Sequence, residues 1–349
     1  MKILHISFTF AFGGIETMLV NIANAQVEMG HTVRIIIVER NSIEPTLKAK
    51  LDKRIKLYYA NRRANSKDIM ALFRLNWFIE TFSPDAIHIH GANLYRFILD
   101  PRFKRITNGT LHALPSASNT IAIEKIPKEF AISEAVRREL LAYKGVNAIT
   151  NPNGICTKLI KVRTSIEYNG ILKIVCVSRL AHEFKGQHIL IGAAAELVKM
   201  GYTEFTIHFI GDGPSREYLE SLVKKLNVEN YISFLGSRSQ EYIFEHLIDY
   251  DLFVQPSIFE GFGNTVIEAM AAKLPVIVSS GQGPEEIIAH GKYGYIFENG
   301  NAISCAEIIS IFLRKENNTE QIEKGYQHVI NFYDVKNTAT RYVEQYLKK

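Results

Sequence analysis

The feature that most constrains this sequence is an alternation of short apolar strands with amphipathic helices, which runs through the first half and then starts again. In the first half it predicts strands at 2–7, 33–38, 55–59 and 86–90, with helices at 15–29 and 67–82. In the second half it predicts strands at 173–178, 205–210, 231–235, 251–255 and 275–278, with helices near 186–200, 214–227, 264–273 and 301–315. Strands that alternate with helices form parallel sheets covered by helices on both faces. The sequence therefore predicts an α/β protein with two doubly wound, Rossmann-like domains.

The boundary between these domains is predicted in an irregular segment, 151–170, that contains proline, glycine and asparagine. The 349 residues are too many for one ordinary hydrophobic core, which agrees with two domains. We predict an N-terminal domain at 1–155 and a C-terminal domain at 156–330. The helical tail at 331–349 is expected to pack back toward the N-terminal domain.

Charge is distributed unevenly between the two halves. Residues 1–150 carry 21 basic and 13 acidic groups, whereas residues 151–349 carry 20 and 23. A basic half favours an anionic partner such as a lipid headgroup or a phosphorylated acceptor, although a solvated surface has the same composition. The segment 48–78 holds nine Lys and Arg residues, interleaved with Phe73, Leu75, Trp77 and Phe78. These side chains suit peripheral contact with an anionic bilayer, and they equally suit a core.

The N-terminus and the cysteines exclude several classes of protein. Residues 1–7 form a predicted strand without the long apolar run of a signal peptide or a membrane span, so we expect a cytoplasmic protein, at the inner face of the membrane if the bilayer contact holds. Cys156, Cys176 and Cys305 are far apart and lack metal-ligand spacing. They predict reduced structural thiols rather than disulfides or a zinc site.

The sharpest chemical motif is a glycine turn between two carboxylates, Glu260-Gly261-Phe262-Gly263-Asn264-Thr265-Val266-Ile267-Glu268. It follows the predicted strand 251–255 and opens a helix. A strand, a glycine loop and a helix N-terminus together present backbone amides and the positive end of a helix dipole, which suits an anionic phosphate. The two carboxylates flank that position and can accept hydrogen bonds from sugar hydroxyls.

A glutamate, seven residues and a second glutamate in this setting resemble the signature of glycosyltransferase family 4, retaining enzymes of the GT-B fold, and the resemblance covers nearly the whole chain. It implies that the two domains face each other across a cleft, with the acceptor on the N-terminal side and the nucleotide sugar held mainly by the C-terminal domain. It also implies that Glu268 binds the ribose and Glu260 the donor hexose. The remaining donor contacts are then expected at Gly261, Phe262, Gly263, Asn264 and Thr265.

A basic motif follows the first predicted strand of the second domain, with Arg179 and then Lys185. Open α/β sheets bind ligands at the carboxyl ends of their strands, so both cations should lie in the same cleft. A diphosphate leaving group gains negative charge as the glycosidic bond breaks, and fixed cations stabilise that transition state. The pair resembles the arginine and lysine with which the family does this without a metal. We therefore expect neither a metal nor a cofactor.

Three glycines and one histidine complete the predicted site. Gly13 and Gly14 lie between the first strand and the first helix, and the resemblance places them beneath the donor phosphates and the acceptor. Gly211, after the strand 205–210, would belong to the cleft wall near the base. His112 resembles the family histidine that contacts the donor hexose, with His90 as the substitute. His88 and His90 share one strand face but lack a third ligand for a metal.

These features, with the family resemblance, predict a retaining transferase that moves a hexose-type sugar from a nucleotide sugar, with UDP-sugars favoured, to a glycan or lipid-linked acceptor in cell-surface polysaccharide or lipopolysaccharide synthesis. A sugar-nucleotide epimerase of the same fold and a catalytically silent binding module are the alternatives. No nucleic-acid partner is expected. Arg216 replaces the third glycine after Gly211-Asp212-Gly213, which disfavours a dehydrogenase. Asp249-Tyr250-Asp251, a metal-binding pattern in another glycosyltransferase fold, is interpreted as structural.

Overall fold

The structure is a computed structural model that describes residues 1–11, 13–39, 44–63, 66, 68–165, 170–316 and 319–348. The chain divides into two compact units. Unit 1 comprises Met1–Ile155 and Asp334–Lys349, and unit 2 comprises Cys156–Tyr333. Residues 166–169 of the predicted linker lie outside the described residues.

Unit 1 is built on a parallel sheet. Its described strands are β1 (Lys2–Ser7), β2 (Thr32–Glu39), β3 (Lys56–Arg62), β4 (Ala86–Ile89), β5 (Thr107–Leu111), β6 (Lys128–Ala131) and β7 (Ile149–Thr150). Their order in the sheet is β3-β2-β1-β4-β5-β6-β7. Because the winding reverses between β1 and β4, the loops that leave their carboxyl ends diverge and form a crevice.

Unit 2 repeats this architecture. Its described strands are β8 (Leu172–Val177), β9 (Phe205–Ile210), β10 (Ile232–Phe234), β11 (Leu252–Gln255), β12 (Val276–Ser279) and β13 (Tyr295–Phe297). They are all parallel, in the order β10-β9-β8-β11-β12-β13. The winding reverses between β8 and β11, which are direct neighbours with Leu252 opposite Ile174.

Helices connect the strands and cover the sheets. In chain order the described helices are α1 (Gly14–Glu28), α2 (Pro45–Ala49), α3 (Ile69–Phe82), α4 (Pro101–Arg105), α5 (Glu134–Lys144), α6 (His182–Lys185), α7 (Gln187–Lys199), α8 (Arg216–Lys225), α9 (Gln240–His246), α10 (Asn264–Ala271), α11 (Gly283–Ile287), α12 (Ala302–Leu313), α13 (Thr319–Phe332) and α14 (Val335–Leu347). None of these helices is both long enough and apolar enough to span a membrane, within the ranges given above.

The last helix belongs to the first unit. Val335 N donates to Ile155 O (2.9 Å), and Thr338 Oγ1 donates to Pro152 O (3.0 Å). Tyr342 is fully buried, and its hydroxyl lies 3.0 Å from Thr110 Oγ1 on β5. Helix α14 therefore contributes core side chains to a sheet formed by the start of the chain.

The predicted α/β class with two parallel sheets is confirmed. β1 and β9 begin and end where the sequence predicts, and the other predicted strands differ by one to three residues at an end. Helix α3 begins at Ile69 because the Asp68 side chain accepts a hydrogen bond from Ala71 N (3.1 Å) and caps it. Lys67, where this helix was predicted to start, lies outside the described residues.

Candidate active site

Two loops of unit 2 form one surface at the carboxyl ends of β8 and β11, where the winding of the sheet reverses. The first loop carries Arg179 and the second carries Glu260. Ile258 N and Phe259 N both donate to Phe184 O, at 2.8 and 3.0 Å, and so join the loops through their backbones. The structure thus brings together motifs that are distant in sequence, at the place where doubly wound sheets bind ligands.

A glycine permits the close approach of these loops. Gly186 has φ +64°, and a Cβ atom there would lie 1.8 Å from Pro256 O. Any other residue would have to move the second loop away and would also be strained by the positive φ. Gly186 follows α6 directly, so the same contact fixes the position of Lys185.

Lys185 and Glu260 form an ion pair across the two loops, from Nζ to Oε2. Their side chains are 27% and 16% exposed, so each charge is partly removed from water. The backbone of Glu260 is held on both sides, because its N–H donates to Gln282 Oε1 and its carbonyl accepts from Gly283 N, each at 2.9 Å. The sequence argument missed Gln282 and Gly283, whose only signal is their position after strand β12.

Arg179 precedes Lys185 in the segment that follows β8, and its side chain is exposed. No described residue forms an ion pair or a hydrogen bond with its guanidinium group. Its loop is nevertheless fixed. Buried Gln187 donates from Nε2 to Arg179 O (2.8 Å) and to Ser178 Oγ (2.9 Å). A rigid loop that carries an unpaired cation suits an anionic ligand.

The loop after β9 packs directly on the Arg179 loop. Gly211 has φ +138°, and a Cβ atom there would lie 2.0 Å from Ser178 O. At Gly213 it would lie 2.4 Å from Leu180 O. The two glycines are therefore explained by close backbone contact, and a contact between Gly211 and a donor stays a prediction.

Helix α10 starts at the predicted glycine turn. Gly263 precedes it with φ +110° and has no side chain with which to cap the helix. Thr265 in the first turn donates from Oγ1 to Gln255 Oε1 (3.3 Å). Phe262 is buried against Tyr333, with ring centroids 5.9 Å apart, so its side chain belongs to the core and its backbone remains for the predicted donor contact.

Glu268 is buried within α10 and only 7% exposed. Burial raises the pKa of Glu268 to about 7, and the neighbouring Gln240 side chain opposes this rise. A carboxyl group with this pKa is held ready to ionise when hydrogen-bond donors such as ribose hydroxyls approach it. Its assignment to the ribose stays a prediction.

In unit 1, Gly13 and Gly14 lead from β1 into α1. A Cβ atom on Gly13 would lie 2.6 Å from Glu16 Oε2. Glu16 in turn accepts a hydrogen bond from Thr9 Oγ1. Glycine at position 13 therefore leaves room for a carboxylate that folds back over the helix N-terminus, where a negative charge is favourable.

The two candidate histidines belong to one network. His112 directly follows β5, and its Nε2 lies 3.1 Å from His90 Nδ1. His90 Nε2 lies 3.1 Å from Nδ1 of His5, a residue that the sequence argument did not select. Burial lowers the pKa of His112 to about 3 and of His5 to about 4, and it lowers the pKa of His90 and His88 well below the ordinary value. All four rings are therefore neutral at neutral pH.

The acidic pattern at 249–251 has a structural explanation. Asp251 forms a partly buried ion pair with Arg163 (3.0 Å) and accepts a hydrogen bond from Lys173 N (2.9 Å). Asp249 contacts His246 at 2.7 Å. Among the residues whose placement is described, no group of three His, Cys, Asp or Glu side chains is arranged to hold a metal ion.

Comparison with known proteins gives two family matches in tandem. Residues 12–159 match the family model described as Glycosyltransferase Family 4, and residues 163–328 match the model described as glycosyl transferases group 1. Together they span most of both units and include all the predicted site residues.

Individual relatives agree with these matches. The chain is 27% identical over 314 residues to the lipopolysaccharide core biosynthesis glycosyltransferase LpsD of Rhizobium meliloti, covering 88% of this chain and 87% of LpsD. It is 30% identical over 192 residues to the 2-deoxystreptamine N-acetyl-D-glucosaminyltransferase of Niallia circulans, covering 51% of this chain. That match spans only 49% of the relative, and two further curated relatives are matched over 43 and 37% of their length.

The fold is shared with solved structures. The Anabaena protein HepE, solved in complex with UDP and glucose, superposes with a TM-score of 0.81 at 20% identity, covering 99% of each chain.

Proposed function

Because this chain belongs to glycosyltransferase family 4, we propose that it is a retaining glycosyltransferase that moves a hexose-type sugar from a UDP-sugar to a glycan or lipid-linked acceptor. The observation that carries this proposal is the group of residues at the switch point of unit 2, where the segment after β8 carries both the unpaired Arg179 and Lys185, and Lys185 forms an ion pair with Glu260. The reaction serves cell-surface polysaccharide or lipopolysaccharide synthesis. The name of LpsD, which aligns over most of both chains, supports this assignment.

The donor is assigned as a nucleotide diphosphate sugar from the chemistry of the site. Arg179 presents an unpaired guanidinium and Lys185 an ammonium, and both suit the diphosphate. Glu260 accepts hydrogen bonds from the hexose, and buried Glu268 accepts them from the ribose. The fold shared with HepE, which is solved with UDP and with UDP-glucose, supports uridine as the base.

The roles of the charged residues follow from where negative charge develops during sugar transfer. As the glycosidic bond breaks, negative charge accumulates on the diphosphate, and Arg179 and Lys185 stabilise it more strongly than they stabilise the bound donor. The ion pair with Glu260 partly neutralises Lys185. A bound donor therefore exchanges this ion pair for a contact of Lys185 with phosphate and of Glu260 with sugar hydroxyls. The leaving diphosphate assists removal of the acceptor proton on the same face of the sugar, without a metal or a cofactor.

Contact with a membrane is part of the proposal. Phe73 and Trp77 on α3 are 60 and 61% exposed, one helical turn apart, whereas Leu75 and Ile79 on the opposite side are buried. An exposed aromatic stripe within a basic segment suits an anionic bilayer that holds a lipid-linked acceptor. Of the basic residues in this segment, Lys67 lies outside the described residues.

Donor turnover tests the proposal. Nucleotide release is measured from a panel of UDP- and GDP-sugars, with a chelator present, for the wild type and for Lys185→Ala and Glu260→Ala. Release that survives the chelator and falls about 10²- to 10³-fold in both variants supports the transferase. The matched control is Lys161→Ala, which removes an exposed ion pair with Glu245 in the same unit and should leave release unchanged.

Other outcomes refute parts of the proposal. Conversion of the donor into an isomeric nucleotide sugar without release indicates an epimerase. Binding of a donor without release or isomerisation, in the presence of membrane extracts as an acceptor source, indicates a silent binding module. Absence of binding to every donor contradicts the assignment of the site.

A further inference from the structure

Four polar side chains form a continuous hydrogen-bonded chain on one face of the sheet in unit 1. Gln26 Oε1, on α1, lies 2.8 Å from His5 Nε2. His5 Nδ1 lies 3.1 Å from His90 Nε2, and His90 Nδ1 lies 3.1 Å from His112 Nε2. Gln26, His5 and His90 are buried, whereas His112 is partly exposed at the end of the chain. We call these four residues the histidine relay.

The ring geometry fits direct nitrogen-to-nitrogen hydrogen bonds. The ring centroids of His5 and His90 are 5.3 Å apart with planes inclined by 25°, and those of His90 and His112 are 5.3 Å apart with planes inclined by 21°. In both pairs the rings are nearly parallel and a nitrogen of one ring lies 3.1 Å from a nitrogen of the next, so the rings meet at their edges. Each contact can therefore hold one N–H donor and one lone-pair acceptor.

One end of the relay decides every tautomer in it. A neutral imidazole has one donor and one acceptor nitrogen, and burial keeps these rings neutral. The Gln26 oxygen can only accept, so His5 must carry its proton on Nε2 and accept at Nδ1. His90 must then donate from Nε2 and accept at Nδ1. The same step repeats at His112, which donates from Nε2 and keeps a bare lone pair on Nδ1.

The orientation of the Gln26 amide decides where the protons of the relay lie. The structure places Oε1 of Gln26 against His5, whereas its Nε2 is buried and has no hydrogen-bond partner among the described residues. A reversed amide would reverse every proton in the relay and turn His112 Nδ1 into a donor.

We propose that Gln26, acting through His5 and His90, fixes His112 as the Nε2–H tautomer, so that His112 Nδ1 is a hydrogen-bond acceptor for a hydroxyl group of the transferred sugar. Among the described residues no hydrogen-bond partner is found for this nitrogen. Gln26, His5 and His90 are positioning residues, because they act on the sugar only through His112.

The proposal predicts a substrate class, and in this part it rests on the proposed function. An acceptor nitrogen favours a sugar that offers a hydroxyl. It disfavours a carboxylate, as in a hexuronic acid, or fluorine, because neither can donate. The relay therefore selects hexoses that carry a hydroxyl group, rather than a carboxylate or fluorine, at the position that faces His112.

The first test needs no substrate, and it uses a variant only to assign signals. The free protein, labelled with ¹⁵N in its histidine rings, is examined by long-range ¹H–¹⁵N correlation spectra, and the His112 signals are identified by their loss in His112→Asn. The expected result is a proton on Nε2 and none on Nδ1. A proton on Nδ1 overturns the proposal, even if the enzyme is active.

Two variants test how the tautomer is set. Gln26→Met removes the accepting oxygen while keeping a long unbranched side chain, and it should give a mixture of His112 tautomers. The matched control is Thr110→Val, which removes a hydroxyl bonded to His88 on the same buried face but outside the relay. It should leave the His112 spectrum unchanged. An unchanged His112 spectrum in folded Gln26→Met overturns the role of Gln26.

The substrate part is tested with singly deoxyfluorinated analogues of the donor that the wild type uses. At one sugar position, replacement of the hydroxyl by fluorine should lower kcat/KM about tenfold, because one neutral hydrogen bond is lost. In Gln26→Met this decrease in kcat/KM should be smaller. Losses that are the same in both proteins overturn the link between relay and sugar. A complete absence of turnover with the expected tautomer refutes the proposed function and leaves the relay supported.

Discussion

Replacing Glu268 by glutamine should stabilise the empty protein and at the same time weaken nucleotide binding. The side chain is buried, and this raises the pKa of Glu268 to about 7 from an ordinary value of 4.5. The folded protein therefore binds this proton more tightly than the unfolded chain does. It follows that the free energy of unfolding decreases as pH rises from about 4.5 to about 7 and remains lower above that range.

The magnitude follows from that difference in pKa. At 1.36 kcal/mol for each pKa unit, ionised Glu268 destabilises the fold by ~3 kcal/mol above pH 7. A neutral amide of the same shape avoids this penalty. Glu268→Gln should therefore be more stable than the wild type by up to ~3 kcal/mol at about pH 8, and by less than ~1 kcal/mol at about pH 5.

Urea unfolding at the two pH values measures the effect, with UDP affinity determined in parallel by calorimetry. The matched control is Glu307→Gln on the exposed side of α12, which should show no pH-dependent gain. UDP affinity of Glu268→Gln should fall about 10- to 100-fold at pH 8, because a carboxylate accepting from ribose hydroxyls is replaced by a neutral amide. A variant that gains the same stability at both pH values, or none at pH 8, refutes the reasoning about burial.

Three further predictions concern packing, membrane contact and the acidic pattern. Gly186→Ala should lower the free energy of unfolding by more than ~2 kcal/mol and abolish most donor affinity. The control Gly201→Ala, also at positive φ but with open space around it, should lower it by only about 1 kcal/mol. Thermal unfolding measures both values. Trp77→Ser should reduce sedimentation with anionic vesicles, and Tyr143→Ser, equally exposed in the same unit, should not. Equal binding of both variants contradicts the membrane surface. Asp251→Asn should lower the free energy of unfolding by ~2 kcal/mol, because it leaves the partly buried Arg163 without its partner. Added Mg²⁺ should not stabilise the wild type.

The sequence predicted the elements whose signal is local. β9, Phe205–Ile210, begins with alternating apolar and polar residues and is bounded by turn residues, and its ends were predicted correctly. β6, Lys128–Ala131, was missed because it is short and contains two charged residues. One of them, Glu129, is buried, which is an uncommon place for a glutamate and one that its residue type does not indicate.

The site residues, too, could be predicted only where a local pattern indicates them. The positions of Arg179 and Lys185 could be predicted because the ends of parallel strands are the general ligand-binding edge of such sheets. The two backbone hydrogen bonds that hold Glu260 could not be predicted, because Gln282 reaches it from the loop after β12 and belongs to no recognisable motif. The exposure of Trp77 was likewise left open by the sequence, since an aromatic in a helix suits a core and a surface equally.

The return of α14 to unit 1 sets the order in which the chain can complete its fold during synthesis. Tyr342 is a fully buried side chain of that unit, yet it lies 232 residues from its hydroxyl partner Thr110. Unit 2 is contiguous, from Cys156 to Tyr333, and all of it leaves the ribosome before α14 does. Unit 1 can therefore complete its core only after all of unit 2 has been synthesised, whereas N-terminal units usually complete theirs first. Until α14 emerges, the surface of the first sheet that it covers stays exposed.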